Sequence, residues 1–207
     1  MVFNFQNAKN KIGLQPRHGQ KKIESLNESK ESFLRIVDPG IVNIFNLRGS
    51  QRSSIFRQTI KSIFKIELSN NVGVAIPFSL GVLLQIAPDE WIISSETEEI
   101  HSLISTLEKK LTKIHSSIVD VTDQYQVLFI SGTKVRTVLS KGCSIDLHPN
   151  EFFTNQCTQT LLSSIDIILH CSDKNSFTIL CRSSFANFLI DWLKDAGLEY
   201  NFSFISN

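Results

Sequence analysis

One succession of elements is written twice along this chain, and that repetition restricts the fold more than any other feature. In the first occurrence a strand-like run from Val42 to Leu47 meets Arg48 and Gly49, then gives way to a helical pattern carrying Phe56, Ile60, Ile63 and Phe64. A hairpin pattern follows, GVLLQI then APDEW then IIS, in which Pro88 presets a turn holding Asp89 and Glu90 while Trp91 returns to the core. Ser95 stands three residues before Glu98, as in a capping box, and the helix after it offers Ile100, Leu103, Ile104, Leu107 and Leu111 on one face. In the second occurrence Val127 to Ile130 meets Ser131 and Gly132, then a short helix with Val135, Val138 and Leu139, then the strand-like TLLS, IDIIL and FTIL. The closing helix starts near Ser183, with Ser183 or Ser184 as its cap. It carries Phe185, Phe188, Leu189, Trp192 and Leu193 at helical spacing on a buried face, and Gly197 is placed to end it with positive φ. Gly49 precedes Trp91 by 42 positions and Gly132 precedes Phe177 by 45, so the two occurrences share a scale.

Each half has one apolar sheet face to cover, and its own helices are the nearest material to cover it with. The expected fold is α+β: two related helix-on-antiparallel-sheet halves, residues 41–115 and 116–207, joined in one compact unit. A chain of 207 residues is long enough to bury a core without disulfides or metal.

The charge balance is nearly neutral overall, at +1, but uneven. Up to Lys30 the chain carries Lys9, Lys11, Arg17, Lys21, Lys22 and Lys30 against Glu24 and Glu28, a net +4, with few apolar residues to bury. Residues 1–40 therefore read as a basic N-terminal arm. No aromatics interleave with its charges as they do in single-strand readers, so a nucleic-acid partner is not expected, and an RNA-binding role would have to rest on this arm alone. The uncharged run from Ser69 to Pro88 approaches the length of a membrane span, yet Pro77, Gly81, Asn70 and Asn71 interrupt it, and no membrane partner is expected. The first apolar stretch is broken by Asn4, Gln6, Asn7 and Lys9, unlike a secretory signal, and the reading is cytoplasmic with reduced thiols.

The motifs of chemistry are sparse. No GxGxxG, GxxxxGK[ST] or GxSxG run occurs, and Cys143, Cys157, Cys171 and Cys181 form no CxxC pair, so no catalytic, cofactor-binding or metal-ligating residue is nominated. Asp146 and His148, inside KGCSIDLHP, have the composition of an acid/base pair, but the segment also reads as a helix terminus. There Lys141 meets the carbonyl dipole, Gly142 takes the left-handed cap, Cys143 is a small buried hydrophobe and Pro149 blocks further helix. His18, His101, His115 and His170 have no converging spacing and default to surface positions.

The segments APDEW (87–91), IVDVTDQYQVLFISG (118–132), VLSKGCSIDLHPNEF (138–152), CTQTLL (157–162) and CRSSFANFLIDWL (181–193) occur in an order that resembles the gamma subunit family of heterotetrameric sarcosine oxidase. The residues that carry the likeness are Asp89, Glu90, Trp91, Asp120, Gly132, Lys141, Gly142, Cys143, Asp146, Leu147, His148, Phe152, Thr160, Leu161, Arg182, Ser183, Phe185 and Trp192. The chain departs from the family pattern at Cys181, where Pro is frequent, at Asn155 and Gln156, where Gly is frequent, and at Gln124, Tyr125 and Gln126, a turn that commonly holds Arg.

The resemblance implies a fold similar to the amino-terminal part of folate-binding aminomethyltransferases, which agrees with the two halves read from the repeat. It implies a complex that oxidatively demethylates sarcosine to glycine, forms hydrogen peroxide and passes the one-carbon unit to tetrahydrofolate. In that complex FAD, FMN, NAD, zinc and tetrahydrofolate belong to other subunits, and this chain carries no cofactor. Its main contact is the alpha subunit, with beta and delta in the same assembly. The alternative implied by the fold likeness is a free-standing folate-binding protein or one-carbon transferase.

Overall fold

The computed structural model describes residues 33–206. Eleven strands and four helices follow one another as β1 (Leu34–Asp38), β2 (Asn43–Gly49), α1 (Ser54–Phe64), β3 (Ala75–Phe78), β4 (Gly81–Ala87), β5 (Glu90–Ser95), α2 (Ile100–Leu111), β6 (Ser116–Asp120), β7 (Tyr125–Ser131), α3 (Val135–Leu139), β8 (Gln156–Leu162), β9 (Ile165–Asp173), β10 (Ser176–Arg182), α4 (Ala186–Gly197) and β11 (Phe202–Ser206). They build a five-stranded sheet in the order β3-β4-β5-β2-β6 and a six-stranded sheet in the order β11-β1-β7-β10-β9-β8. All neighbours run antiparallel except β1 and β11.

The two sheets stack with helices outside them. Alternation along the strands sends one set of side chains to each face. Ile44, Leu84 and Ile92 of the first sheet meet Val127, Ile168 and Leu180 of the second in a core between the sheets. The opposite face of the first sheet supplies Leu47, Leu83, Trp91 and Ile93 to α1 and α2. The opposite face of the second supplies Leu128, Ile130, Leu169 and Ile179 to α3 and α4. Trp91 and Phe56 are fully buried with ring centroids 5.6 Å apart, and each such side chain contributes about 1.5–3 kcal/mol over an exposed one.

The expected α+β architecture of two helix-covered antiparallel sheets is therefore present, and the sheets match strand for strand: β3-β4-β5-β2 in one corresponds to β8-β9-β10-β7 in the other. The sequence repeat missed the strand that leads each half. β1 precedes the first half but pairs with β7, while β6 precedes the second half but pairs with β2. The halves are interlocked by this exchange, so the division at 115/116 does not coincide with the division between sheets. Residues 34–38, assigned from sequence to the arm, form a strand whose Leu34 and Ile36 are fully buried. Residues 1–32 of that arm lie outside the described residues.

Several local expectations are corrected. Ser95 does not cap α2; its hydroxyl donates to the Leu80 carbonyl at 2.6 Å and accepts the Thr97 amide, and the helix starts four residues later than a Ser95 cap would place it. Ser183 to Phe185 form a 3-10 turn with no side-chain cap, and α4 buries Ala186, Leu189, Ile190, Leu193, Ala196 and Gly197. Relative to the expected face, the helix is rotated so that Phe185 and Phe188 are 44% and 41% exposed and Trp192 is half-buried. The reason is steric: the small residues Ala186, Ala196 and Gly197 let the helix lie close to the sheet, and a Cβ on Gly197 would sit 2.8 Å from Leu34 Cδ2. Gly142 and Gly197 are thus required by close approach, not by positive φ. His170, expected at the surface, is buried on β9 between the sheets.

Candidate functional site

The residues singled out from sequence are divided between the two sheets; those of the six-stranded sheet lie on its outer side and at both of its ends, and most of them tie loops to it. Lys141 follows α3, and its ammonium meets a helix carbonyl as expected. The carbonyl, however, is that of Ala196 in α4, at 2.6 Å, not one of its own helix. The same group pairs with the Glu199 carboxylate and stands 5.2 Å from the Tyr200 ring centroid. The Lys141 hydrogen bond holds the exposed Glu199 below the usual carboxylate range. Next to it, Gly142 receives the indole of Trp192 and its carbonyl accepts the Ser163 amide at 2.8 Å. Cys143 is half-buried and bridges Leu162, and the Ser144 and Thr160 hydroxyls meet at 3.5 Å.

Asp146 and His148 are exposed and build a turn instead of an acid/base pair. Asp146 accepts the His148 amide at 2.7 Å, and His148 Nδ1 accepts the Asn150 amide at 3.3 Å. Leu147 and Phe152 flank that turn and are buried. Their carbonyls are bound by a residue that sequence reasoning missed, Arg136. Its Nη1 donates to Leu147 at 2.6 Å and to Phe152 at 2.8 Å, and its Nε donates to the Lys174 carbonyl at 2.9 Å. The guanidinium lies 4.9 Å from the Phe177 centroid, and Phe177 stacks on Phe152. Nothing in the spacing around Arg136 signals this; the carbonyls it satisfies are 11 and 16 residues away.

At the far end of β10, Arg182 donates to Gln124 at 2.8 Å and lies 5.0 Å over the Tyr125 ring, and the Ser183 hydroxyl donates to the Asp123 carbonyl at 2.7 Å. In the other half, Glu90 leaves the hairpin turn formed with Asp89, pairs with Arg48 and accepts Asn46 Nδ2 at 2.6 Å. Burial alone would raise the Glu90 carboxyl, but these hydrogen bonds outweigh it and hold it below the usual range. Asp120 accepts the Thr122 amide at 2.9 Å, and Gly132, at φ 129°, closes β7 beside the Phe33 carbonyl. The polar atoms of the singled-out residues are therefore largely engaged with the chain's own backbone and side chains, while the buried Trp91 Nε1 has no hydrogen-bond partner among the described residues.

Exposed apolar side chains gather at one end of the six-stranded sheet. Cys181 and Thr160 both neighbour Ile167 across the sheet, so β10 and β8 finish at the same end. That end carries the exposed Leu161, Phe185 and Phe188, with Trp192 against the hairpin at Ser163. Elsewhere, burial holds His170 neutral, its pKa pushed down to about 4, and pushes the thiols of Cys157 and Cys181 up to about 12 and about 11. Among the described residues no group of three or more His, Cys, Asp or Glu is arranged to hold a metal ion, and no helix is long and apolar enough to cross a membrane. A shallow polar cavity of about 290 Å³ lies between Asn43, Asp120, Thr122 and Gln124.

Residues 48–199 match the model of the "Sarcosine oxidase, gamma subunit family". Over 143 residues the chain is 32% identical to sarcosine oxidase subunit gamma of Corynebacterium sp. (strain U-96), covering 65% of this chain and 69% of that one. The subunit gamma of Corynebacterium sp. (strain P-1) is also 32% identical over 143 residues, covering 64% and 69%. Among solved structures, the heterotetrameric sarcosine oxidase from Corynebacterium sp. U-96 in complex with pyrrole 2-carboxylate contains a chain that superposes with a TM-score of 0.72 at 29% identity, over 80% of this chain and 83% of that one. The glycine cleavage system aminomethyltransferase T from Bartonella henselae shares the fold at 12% identity, with a TM-score of 0.64 over 84% of this chain and 48% of that one. The interlocked sheets thus recur in a larger enzyme as about half of its length, while the family match over residues 48–199 shows that this protein belongs to the sarcosine oxidase gamma subunit family.

Proposed function

We propose that this chain is a non-catalytic subunit of a cytoplasmic heterotetrameric sarcosine oxidase, in which it buttresses the alpha subunit. The observation that carries this reading is the contrast at one end of the second sheet. There the Lys141 ammonium and the Ser183 hydroxyl are turned onto the chain's own carbonyls at Ala196 and Asp123, whereas Phe185, Phe188 and Leu161 of the same segments are left facing outward. Exposed aromatics on a rigid helix and strand end are what a subunit contact uses as anchors. On this reading oxidative demethylation of sarcosine to glycine, reduction of oxygen to hydrogen peroxide and transfer of the one-carbon unit to tetrahydrofolate proceed on companion subunits. FAD, FMN, NAD, zinc and tetrahydrofolate reside there, with beta and delta completing the assembly.

A gentle pull-down of the tagged chain from cells producing the whole complex tests this. Three companions, one large, one medium and one small, with a flavin absorption spectrum and sarcosine-dependent peroxide formation, are expected. The aminomethyltransferase fold favours a second reading, a free-standing folate-binding protein or one-carbon transferase. A colourless, solitary chain that binds tetrahydrofolate tightly and saturably would replace the first reading with that one.

A further inference from the structure

The outward face of α4 carries charge as well as apolar surface. The helix turns Ala186, Leu189, Ile190, Leu193 and Ala196 to the sheet. Opposite them, Asp191, Trp192 and Asp195 follow Phe188 at offsets of three, four and seven, which puts all four on one face, with Phe185 of the preceding 3-10 turn in line. Phe188 is 41% exposed and both aspartates are exposed, so a body resting on the phenylalanines covers the carboxylates too.

The chain's own cations do not answer those carboxylates. Among the described residues neither Asp191 nor Asp195 has an ion-pair or side-chain hydrogen-bond partner. The basic groups on or beside the helix are committed elsewhere. Lys194 stands 4.9 Å from the Phe204 ring centroid, Lys141 donates to the Ala196 carbonyl and pairs with Glu199, and Arg182 donates to Gln124 and lies over Tyr125.

Two like charges four positions apart on a helix stand roughly 6 Å from each other at their Cβ atoms and disfavour one another. In the free chain, water and salt relieve that repulsion. Under a docked body the dielectric falls, and the repulsion and the desolvation cost both grow unless the body brings positive charge. A purely apolar partner on Phe185 and Phe188 would therefore bury an uncompensated pair. A surface that presents a cation among its apolar groups avoids this, and a guanidinium suits the place best, because it lies flat on an aromatic ring while its edge pairs with a carboxylate.

We infer that the companion surface docked on α4 is basic as well as apolar: it brings an arginine or lysine to the space between Phe188 and the two aspartates, beside the apolar side chains that cover Phe185. This rests on the proposed role as a subunit and specifies the chemistry of the partner at that same face. The rings supply the anchorage, and the charge fixes which surface of the companion is accepted there.

Dissociation of the whole complex is measured for Asp191→Asn, Asp195→Asn and the double variant, at low and at high salt, beside Glu108→Gln, which removes the same charge from α2 on the other sheet. The double variant is expected to hold its companions about tenfold or more less tightly at low salt, with the gap narrowing as salt screens the pair, while Glu108→Gln changes nothing. Asp191→Lys should lose more than Asp191→Asn. Since neither carboxylate has a partner within the chain, the free double variant should unfold at an unaltered or higher midpoint, which separates lost docking from lost folding. A double variant that assembles as tightly as the parent overturns the inference and leaves the subunit role standing. An equal loss with Glu108→Gln also overturns it, because the effect then belongs to overall charge. The basic segment up to Lys30 is the other source of cations. If the effect of the double variant disappears when residues 1–30 are deleted from an otherwise intact complex, the aspartates are answered by this chain itself and the inference fails. A parent chain that captures no companions overturns the proposed function and this inference together.

Discussion

The indole of Trp192 rests directly on Gly142, so that the last helix and the loop after α3 meet through a bare backbone. Any side chain at position 142 collides with Cζ2 of that ring and comes within 3.1 Å of the Ser163 amide nitrogen. Gly142→Ala is expected to destabilise the chain by about 1–3 kcal/mol, read by denaturant unfolding. Because the obstruction is the ring itself, Gly142→Ala combined with Trp192→Ala should lose less than the two single changes added, by about 1 kcal/mol or more. Strict additivity would show that the two residues do not share the site.

Arg136 supports the 140–155 loop through two carbonyls that have no other role in the sheet. Arg136→Ala leaves the Leu147 and Phe152 carbonyls to find new partners and should cost about 1–3 kcal/mol. Arg136→Lys should recover less than half of this, since one ammonium cannot span both carbonyls and lie flat on Phe177. Proteolysis within 144–153 at a rate unchanged by either variant would contradict the assignment.

His170 makes stability depend on pH. Its neighbours across the strands are Cys157 and Thr178, both uncharged, and among the described residues neither ring nitrogen has a hydrogen-bond partner. Burial lowers the folded pKa to about 4 from an ordinary 6.5, so between those values the unfolded chain binds the proton that the folded one refuses. Stability from this residue is full above pH 6.5 and is lost as the pH falls towards 4, by about 2 kcal/mol between pH 7 and pH 5. Denaturation midpoints at the two pH values check it. His170→Leu should flatten that limb of the curve, and an unchanged limb would place the acid sensitivity elsewhere.

Phe185 and Phe188 separate folding from assembly. Both are more than one-third exposed, so Phe188→Ser or Phe185→Ser should shift unfolding by less than about 1 kcal/mol. As interface anchors they should each weaken association with companion subunits by about tenfold or more, measured by the fraction of complex retained on dilution. Full assembly of the double variant would move the contact to another face.

The sequence by itself determined the elements and their chemistry. Periodicity placed α1 and its buried Phe56, Ile60 and Phe64, the β4–β5 hairpin with Trp91 in the core, and the three strands before α4, because those signals are local and each apolar stripe has a fixed period. The ordered segments from APDEW to CRSSFANFLIDWL likewise carried the family. Tertiary structure alone decided the rest. The exchange of β1 and β6 between halves is invisible in a repeat, since a strand's partner is chosen by the sheet edge it meets, not by its neighbours in sequence. The face that α4 buries is the one carrying the small Ala186, Ala196 and Gly197, the last in direct approach to Leu34, and not the one carrying the larger Phe185 and Phe188. Lys141 met the helix that packing brought to it, not the one it ends, and Arg136 found acceptors that only loop closure placed within reach. Local pattern fixes what each segment is; which surfaces touch depends on shape and reach across the whole chain, and those exist only once it has folded.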